Sequence, residues 1–365
     1  MVGIVTFHSQ YNCGSALQSY ALQEKVKSLG YECKILNYYY ENDMKNYDIR
    51  WSSKNLKVIL FDLYTLRNCI GRKKSYKLFQ KRFLNLSDVT TNWEDLKELS
   101  SDCEVLICGS DQIWNVGLTQ GVHPAYFLMF STPEQKLISY APSMALTSIP
   151  EAYKRDLKNA LERFTRVSVR EQQTATMLEK VFGKNVFCAL DPTLLHNREF
   201  YNNLIRGYKL TLPEKYIFIY CLHYINLSEI RTEAEKYAKE HDLDIVYFNK
   251  YNIYNKLYKT NIFKYGPEAF IAAIRNAEFV IADSYHAAIF SILYKKQFWI
   301  YALGDSRSRW DTLYERLNIE KNYLNSGEPY HFIDYEAVEN KLDEQREESI
   351  NFLKASLEAM EYERE

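Results

Sequence analysis

A histidine at a predicted strand-to-helix junction is the first residue of this sequence whose type and position suit chemistry. Residues Phe279–Ala282 form a short apolar run typical of a buried parallel strand. Asp283 and Ser284 then favour a helix N-cap, and the apolar spacing of Tyr285–Leu293 predicts a helix with His286 in its first turn. Open α/β sheets bind ligands at such junctions, because free N–H groups of a helix N-terminus attract anions. The alternative interpretation is a core histidine beside a capping aspartate.

Polar loops also follow four predicted strands in the N-terminal half of the chain. Each comes directly after an apolar run, and they are residues 109–115, 141–143, 170–171 and 190–192. Right-handed crossovers bring the carboxyl ends of parallel strands to one edge of a sheet, so we expect these loops to lie together.

The chain opens with a predicted βαβ unit. Residues 2–7 are apolar enough for a buried strand, and a second strand is predicted at 32–36. Ser15 and Gln18 have the spacing of a capping box, which predicts a helix to about Leu29. The connecting loop, residues 8–14, offers only Gly14 and therefore lacks the dinucleotide-binding fingerprint. It is either a ligand-binding loop or an ordinary turn.

Composition excludes several classes of protein. The 365 residues are 47% hydrophobic and 25% charged, which is typical of a globular chain of two domains. The formal net charge of −1 gives no reason to expect nucleic acid as a partner. Seven scattered cysteines without a C-x-x-C pair argue for reduced thiols in the cytoplasm and against a zinc site. We expect no signal peptide and no transmembrane span.

A basic segment interrupts the α/β pattern from about residue 42 to 88. Between Arg50 and Asp88, ten basic residues face only Asp62 and Asp88, and apolar residues are interleaved at roughly helical spacing. Two interpretations stay open: an amphipathic helix on an anionic membrane surface, or a solvated basic face packed on the domain. The basic residues are Arg50, Lys54, Lys57, Arg67, Arg72, Lys73, Lys74, Lys77, Lys81 and Arg82.

We expect two α/β domains that meet in the polar stretch 196–213. The first spans residues 1–200, with the basic segment as a helical insert at about 42–90, and the second spans 201–333. Residues 334–365 form an acidic helix predicted to pack back on the body of the protein. The apolar seam of that helix is Ile350, Leu353, Leu357 and Met360.

Six short motifs together resemble those of the polysaccharide pyruvyl transferase family. They occur in the family's order and cover roughly residues 3–320, although the basic segment and the acidic tail have no counterpart. The motifs are N-x-G-x-x-L-Q-x-Y-A-L from Asn12, G-S-D-Q-x-W-N at 109–115, S-Y-A-P-S at 139–143, S-V-R-E at 168–171, D-P-T-L-L at 191–195 and D-S-Y-H-A-A-x-F-S at 283–291.

This resemblance implies two Rossmann-like α/β domains that face each other across a cleft, similar to the GT-B architecture. It also implies transfer of the enolpyruvyl group of phosphoenolpyruvate onto two hydroxyls of a sugar, which makes a ketal and releases phosphate. The acceptor would be a sugar or lipid-linked oligosaccharide of surface, capsular or exopolysaccharide biosynthesis. No metal and no cofactor is expected. We expect a cytoplasmic protein, peripheral at the inner face of the plasma membrane if the basic segment binds lipid.

The resemblance also implies site residues. The family holds its donor with an arginine, an apolar residue and a histidine in line, for which this chain has Ser284, Tyr285 and His286. Arg170 matches a donor-site arginine, and Arg309 is the candidate for the charge missing at position 284. We expect His286 as the acid and Asp111 as a catalytic group that orients hydroxyls. The remaining expected acceptor or loop residues are Asn12, Gly14, Ser15, Gln112, Trp114, Asn115 and Tyr140.

Two other functions remain open at this stage. A GT-B glycosyltransferase that uses a nucleotide sugar would have the same architecture, although no D-x-D motif ends a predicted strand. A non-catalytic binding protein of polysaccharide biosynthesis would explain why Ser284 replaces the family's arginine.

Overall fold

A computed structural model describes residues 1–40, 56–223, 227–248, 260–302 and 307–358. Two five-stranded parallel sheets organise these residues, with strand orders β3-β2-β1-β4-β5 and β10-β9-β8-β11-β12. No helix in these ranges has the length and apolar character needed to cross a bilayer.

The first sheet uses strands from the first 139 residues, and every pairing is parallel. Its strands are β1 (Val2–Val5), β2 (Cys33–Tyr38), β3 (Leu86–Thr90), β4 (Val105–Cys108) and β5 (Lys136–Ser139). Its helices are α1 (Cys13–Ser28), α2 (Leu56–Phe83), α3 (Leu96–Leu99), α4 (Glu151–Leu161) and α5 (Gln172–Phe182). A small parallel pair, β6 (Ser168–Val169) and β7 (Phe187–Cys188), continues its far side.

The second sheet repeats this plan. Its strands are β8 (Tyr216–Tyr220), β9 (Asp244–Phe248), β10 (Thr260–Asn261), β11 (Phe279–Ala282) and β12 (Gln297–Ile300). Its helices and the flanking ones are α6 (Arg198–Leu204), α7 (Leu227–His241), α8 (Pro267–Asn276), α9 (Tyr285–Leu293), α10 (Ser308–Leu317) and α11 (Tyr335–Glu358). Strands β1, β4, β8 and β11 are buried along their whole length, as apolar strands covered on both faces by helices must be.

One hydrophobic cluster runs through both halves of the molecule. It joins Ile4 and Leu17 of the first half to Phe218 and Phe290 of the second. Helix α1 packs on α8 and α9, so the carboxyl edges of the two sheets face each other across an apolar contact. This contact fixes the positions of loops that belong to different sheets.

The basic segment is not an insert. Helix α2 is the crossover between β2 and β3, and β3 is the edge strand of the first sheet. The strand escaped prediction because Leu86–Thr90 alternates weakly and is half exposed, as edge strands are. Arg50 and Lys54 of that prediction lie outside the described residues.

The inner face of α2 joins the two halves. The Arg72 guanidinium stacks on the Phe263 ring, 4.2 Å from its centroid, and donates to the carbonyl of Tyr11. The Ser75 hydroxyl lies 3.3 Å from the carbonyl of Lys264, in the second half. The opposite face of α2 is solvated.

Helix α11 returns to the body of the protein. Leu342, Leu353 and Leu357 are buried, and Ile350 is half-buried against the same core. The hydroxyl of Ser349 accepts the backbone N–H of Leu190 at 3.0 Å. Met360, the last residue of the predicted seam, lies outside the described residues. The division of the chain near 196–213 stays a prediction.

Candidate active site

Asp191 lies at the point where the two halves meet. It begins a short 3-10 helix, Pro192–Leu195, and its Oδ1 accepts the backbone N–H (3.0 Å) and the hydroxyl (2.6 Å) of Thr193. Its Oδ2 accepts Nη1 of Arg170 at 2.8 Å and lies 3.4 Å from Nε2 of His286. An arginine from the first half and a histidine from the second therefore meet at one carboxylate oxygen.

The charges of this cluster are mutually dependent. Burial alone would raise the pKa of Asp191, but the charges of His286 and Arg170 and the Thr193 hydrogen bond hold it well below its usual range. Burial likewise opposes the charge of Arg170, yet Asp191 and Glu171 raise the pKa of its guanidinium. Both groups thus stay ionised across the working pH range.

Several buried donors around Asp191 have no hydrogen-bond partner. Nε and Nη2 of Arg170, a residue only 2% exposed, lack one, and so does Nε2 of His286. Nε of Arg170 comes no closer than 3.5 Å to Oε1 of Glu171. Because buried donors are almost always satisfied in proteins, these three mark a place that suits an anionic ligand.

An aromatic ring separates this cluster from a second arginine. The Tyr285 ring lies 4.4 Å from the guanidinium of Arg170 and 5.9 Å from that of Arg309. Burial, with the repulsion of Arg170 behind it, lowers the pKa of Arg309 to about 10. Ser284 is the N-cap of α9, and its side chain makes no capping hydrogen bond. The structure thus brings together all the residues predicted for the donor site.

The N-terminus of α1 faces His286. Asn12, not Ser15, is its N-cap: the Asn12 side chain accepts the backbone N–H groups of Gly14 (2.8 Å) and Ser15 (3.4 Å). The predicted capping box is therefore wrong. A Cβ on Gly14 would stand 2.1 Å from Nδ1 of His286, so only glycine fits there. The first turns of α1 and α9, each the positive end of a helix dipole, converge on this histidine.

The Ser15 hydroxyl is used elsewhere. It donates to Oδ2 of Asp111 at 2.5 Å, across 96 residues of sequence. Asp111 has a left-handed backbone (φ 75°), uncommon for a non-glycine residue and typical of strained functional positions. Its carboxylate also accepts the N–H of Gln112. Asp111 is therefore fixed beside the α1 N-terminus, as the prediction of an orienting carboxylate requires.

Two expected acceptor residues belong to the core instead. Trp114 is fully buried, stacks on Phe127 and donates its indole N–H to the carbonyl of Tyr126. Tyr140 is fully buried and donates its hydroxyl to the carbonyl of Leu190. Neither side chain is exposed to a ligand. Gln112 and Asn115 are half-buried and bond to each other, so they remain accessible.

Sequence reasoning missed the role of Asp283. Its buried carboxylate does not cap α9 but accepts the backbone N–H groups of Leu222 (2.7 Å) and His223 (2.9 Å) after β8. It also contacts Nδ1 of His223 at 3.1 Å. No local signal marks this pair, because sixty residues separate its members. Among the described residues, no group of three or more His, Cys, Asp or Glu is placed to hold a metal ion.

Comparisons with known proteins give a family and a fold. The family model described as "Polysaccharide pyruvyl transferase" matches residues 12–305. No curated protein matches the chain. Among solved structures, a putative UDP-N-acetylglucosamine 2-epimerase from Listeria monocytogenes has a TM-score of 0.52 at 11% identity, covering 96% of this chain and 89% of that one.

Two further structures are similar at lower scores. The UDP-GlcNAc 2-epimerase of Methanocaldococcus jannaschii has a TM-score of 0.47 at 12% identity, covering 94% of this chain and 98% of that one. The glycosyltransferase SnogD from Streptomyces nogalater has a TM-score of 0.47 at 11% identity and 98% coverage of both chains. The likeness to the Listeria monocytogenes structure, at 11% identity, indicates the fold alone, which here is two Rossmann-like domains of GT-B type.

Proposed function

The chain belongs to the polysaccharide pyruvyl transferase family, and on that premise we propose that it transfers the enolpyruvyl group of phosphoenolpyruvate to a sugar. Two hydroxyls of the acceptor form a pyruvate ketal, and phosphate leaves. The family makes the protein a transferase of polysaccharide biosynthesis. The observation that carries the finer proposal is the set of three unpartnered donors of Arg170 and His286 around Asp191.

Phosphoenolpyruvate carries a carboxylate and a phosphate close together, and the cluster offers a donor for each. The free edge of the Arg170 guanidinium (Nε and Nη2) suits a planar carboxylate bound through two parallel hydrogen bonds. Arg309, on the other side of the Tyr285 ring, suits the phosphate. The N-termini of α1 and α9 add partial positive charge on the same side.

The cluster has three buried carboxylates, those of Asp191, Glu171 and Asp111, and two arginines, Arg170 and Arg309. An anionic donor therefore needs the further positive charge of a protonated His286. A proton on His286, whose Nε2 lies 3.4 Å from Oδ2 of Asp191, supplies the extra charge for an anionic donor. The same proton can then move to the substrate.

In the proposed reaction His286 donates its proton to the methylene carbon of the enol, which makes C2 electrophilic. The first sugar hydroxyl adds to C2 and gives its proton to a base, phosphate departs, and the second hydroxyl closes the ring as its proton passes to the departed phosphate. Asp111 lies at the carboxyl edge of the first sheet, and in this reaction it orients the acceptor. The acceptor is a sugar, and we propose that it is lipid-linked because the exposed side of α2 fits a membrane surface.

The solvated side of α2 bears one continuous stripe. The outer stripe consists of exposed apolar and basic residues at helical spacing: Leu56, Leu60, Leu63, Arg67, Ile70, Lys74, Lys77, Leu78 and Lys81. Such a surface fits an anionic membrane, because apolar side chains enter the headgroup boundary while basic ones pair with lipid phosphates. We propose peripheral association through this stripe, which would bring the protein to a lipid-linked acceptor.

Vesicle sedimentation tests the membrane proposal. Each basic residue near an anionic surface contributes about 1 kcal/mol, so binding to phosphatidylglycerol vesicles should weaken with salt and exceed binding to phosphatidylcholine. Lys74→Glu/Lys77→Glu/Lys81→Glu should abolish it. The matched control reverses Lys154, Arg155 and Lys158 on the surface of α4 and should bind as the native protein does. Equal binding to both lipids would contradict the proposal.

Isotope tracing tests the reaction itself. Phosphoenolpyruvate labelled in the enolpyruvyl carbons is incubated with the protein and a panel of p-nitrophenyl hexosides, and label in the product is measured. We expect label from phosphoenolpyruvate. Label from a nucleotide sugar would indicate the glycosyltransferase alternative, and absence of both would indicate a binding protein.

Calorimetry with phosphoenolpyruvate tests the donor residues. Arg170→Lys should weaken binding, because an ammonium group cannot make two parallel hydrogen bonds. Arg163→Lys changes an exposed arginine outside the site, which donates to the carbonyl of Leu128, and is the control. Ser284→Arg should strengthen binding if the native site is a weaker version of the family's, and should block it if Arg309 fills that space. A native protein without affinity for phosphoenolpyruvate would refute the proposal.

A further inference from the structure

A second histidine stands at the carboxyl edge of the second sheet. Strands β8 and β11 are parallel neighbours, so the segments after them lie side by side. Asp283 follows β11 and is buried, whereas the side chain of His223, after β8, is 66% exposed. The two are joined by the 3.1 Å contact between Oδ2 of Asp283 and Nδ1 of His223.

This contact determines which nitrogen of His223 can react. A carboxylate can only accept, so Nδ1 carries the hydrogen and Nε2 of the neutral ring carries the lone pair. Asp283 is itself fixed, because it also accepts the backbone N–H groups of Leu222 and His223. The ring therefore has a set tautomer and orientation, while its basic nitrogen faces away from the carboxylate.

The pair lies within the electrostatic reach of the donor site. The hydrogen bond to Asp283 raises the pKa of His223 above its usual value, burial opposes this, and the charge of Arg309 lowers it. Arg309 is the arginine that flanks Tyr285. Within the described residues, the charged or titratable groups beside the ring are Asp283, Arg309 and the Cys221 thiol, which lies 3.4 Å from Asp283.

We propose that His223 is the base that deprotonates the acceptor, with Asp283 as its positioning residue; this rests on the proposed pyruvyl transfer. As the hydroxyl oxygen bonds to C2 of the pyruvyl group, its O–H bond breaks and the proton moves to Nε2 of His223. The proton that the methylene carbon gains comes from His286. One histidine gives a proton on the buried donor side, and the other takes one on the side open to a bulky acceptor.

This division of roles follows from exposure. His286 is 6% exposed and lies between Asp191 and Gly14, an enclosed position that leaves no room for an oligosaccharide beside the ring. His223 is open to solvent, as a group that meets a sugar must be. A purely structural pair would need no exposed ring, since the backbone hydrogen bonds to Asp283 alone fasten the segment after β8.

The test compares His223→Gln with His331→Gln, a control in which an exposed histidine pairs with Glu320 outside the cleft. Transfer of label from phosphoenolpyruvate to p-nitrophenyl hexosides is measured, with donor affinity determined separately by calorimetry. We expect His223→Gln to lower kcat by about 10²- to 10⁴-fold, the usual range for a general base, with donor affinity within about twofold of native. His331→Gln should transfer at the native rate.

Asp283→Asn gives a second readout. It removes the charge that favours imidazolium, so the acidic limb of the kcat/KM profile should move to lower pH, a shift that loss of folding alone does not produce. Native turnover of His223→Gln, or an unmoved limb in Asp283→Asn, overturns the inference while the proposed function stands. A native protein that neither binds nor consumes phosphoenolpyruvate overturns both.

Discussion

The carboxyl edges of the two sheets are built in different ways. On the first edge, polar side chains are buried and bonded to one another: Ser15 to Asp111, Ser143 to Glu171 and Arg170 to Asp191. On the second edge, the Ser284 side chain makes no capping bond and His223 is mostly exposed.

This difference separates two tasks of the site. The first edge is a preorganised frame whose parts depend on each other, and a change there should cost stability as well as activity. In the proposed reaction the second edge presents the groups that move protons and touch substrate, so changes there should cost activity with little loss of stability. Each of the following experiments tests this separation.

The largest effect should come from the second edge. His286→Gln keeps a polar side chain of similar reach but cannot donate a proton at neutral pH. Turnover should fall by about 10²- to 10⁴-fold in the label-transfer assay. The free energy of unfolding, measured with urea, should change by no more than about 1 kcal/mol. A large loss of stability would make this histidine part of the frame and break the comparison.

On the first edge, Asp191→Asn should destabilise the fold by about 3–5 kcal/mol, because it leaves the buried charge of Arg170 without its closest partner. Urea unfolding measures this. Asp156→Asn, an exposed aspartate of α4, is the control and should stay within about 0.5 kcal/mol. If Asp191→Asn unfolds at the native midpoint, the frame does not depend on this ion pair.

His196 and His223 should respond oppositely to acid. Burial lowers the pKa of His196, which donates Nε2–H to the carbonyl of Ala21, to about 4. Because the unfolded residue binds its proton near pH 6.5, stability is full above that pH and falls between 6.5 and 4, by up to about 3 kcal/mol.

His196→Gln keeps a donor for Ala21 and does not titrate, so it should flatten that part of the stability–pH curve. His223, whose pKa is raised by Asp283, contributes with the opposite sign: its share is present below pH 6.5 and is lost as pH rises through the folded value. An unchanged curve for His196→Gln would contradict the assignment.

The contact between the two carboxyl edges can be tested at Gly14. Gly14→Ala places a methyl group against the His286 ring and should cost about 1–3 kcal/mol, as overpacking does. The cost should shrink in a His286→Ala background, because the ring that clashes is gone. Urea unfolding of the native protein, the two single variants and the double variant forms a double-mutant cycle. Additive effects would mean that the two edges do not touch here.

Two serines give the smallest and sharpest contrast. Ser15→Ala removes a buried hydrogen bond to Asp111 and should cost about 1–2 kcal/mol. Ser284→Ala removes a hydroxyl that makes no capping bond and should stay within about 0.5 kcal/mol. Equal losses, measured by thermal unfolding, would erase the distinction between the edges.

The sequence predicted those features that depend only on residues close together in the chain. The apolar run at β11 has the predicted bounds Phe279–Ala282, as expected from burial on both faces. Arg170 and His286, which the family motifs single out, both contact Asp191. Both kinds of signal need only neighbouring residues.

Features that depend on distant partners were missed. Ser15 fits a capping box by spacing, but its hydroxyl serves Asp111, 96 residues away. Asp283 resembles a cap, but serves the segment after β8. Trp114 and Tyr140 resemble sugar-site aromatics, but packing decides their burial. In each case the tertiary contact, and not the local sequence pattern, determines the position of the side chain.

The contact between α11 and the site bears on how the protein is made. Ser349 accepts the N–H of Leu190 and Arg346 donates to the carbonyl of Leu194, so α11 holds both ends of the segment that carries Asp191. Leu190 precedes Ser349 by 159 residues. At about 5–20 residues per second, the ribosome needs roughly 8 to 30 seconds to add them. During that time the growing chain lacks the two hydrogen bonds from α11. An unfinished chain therefore cannot complete the donor site.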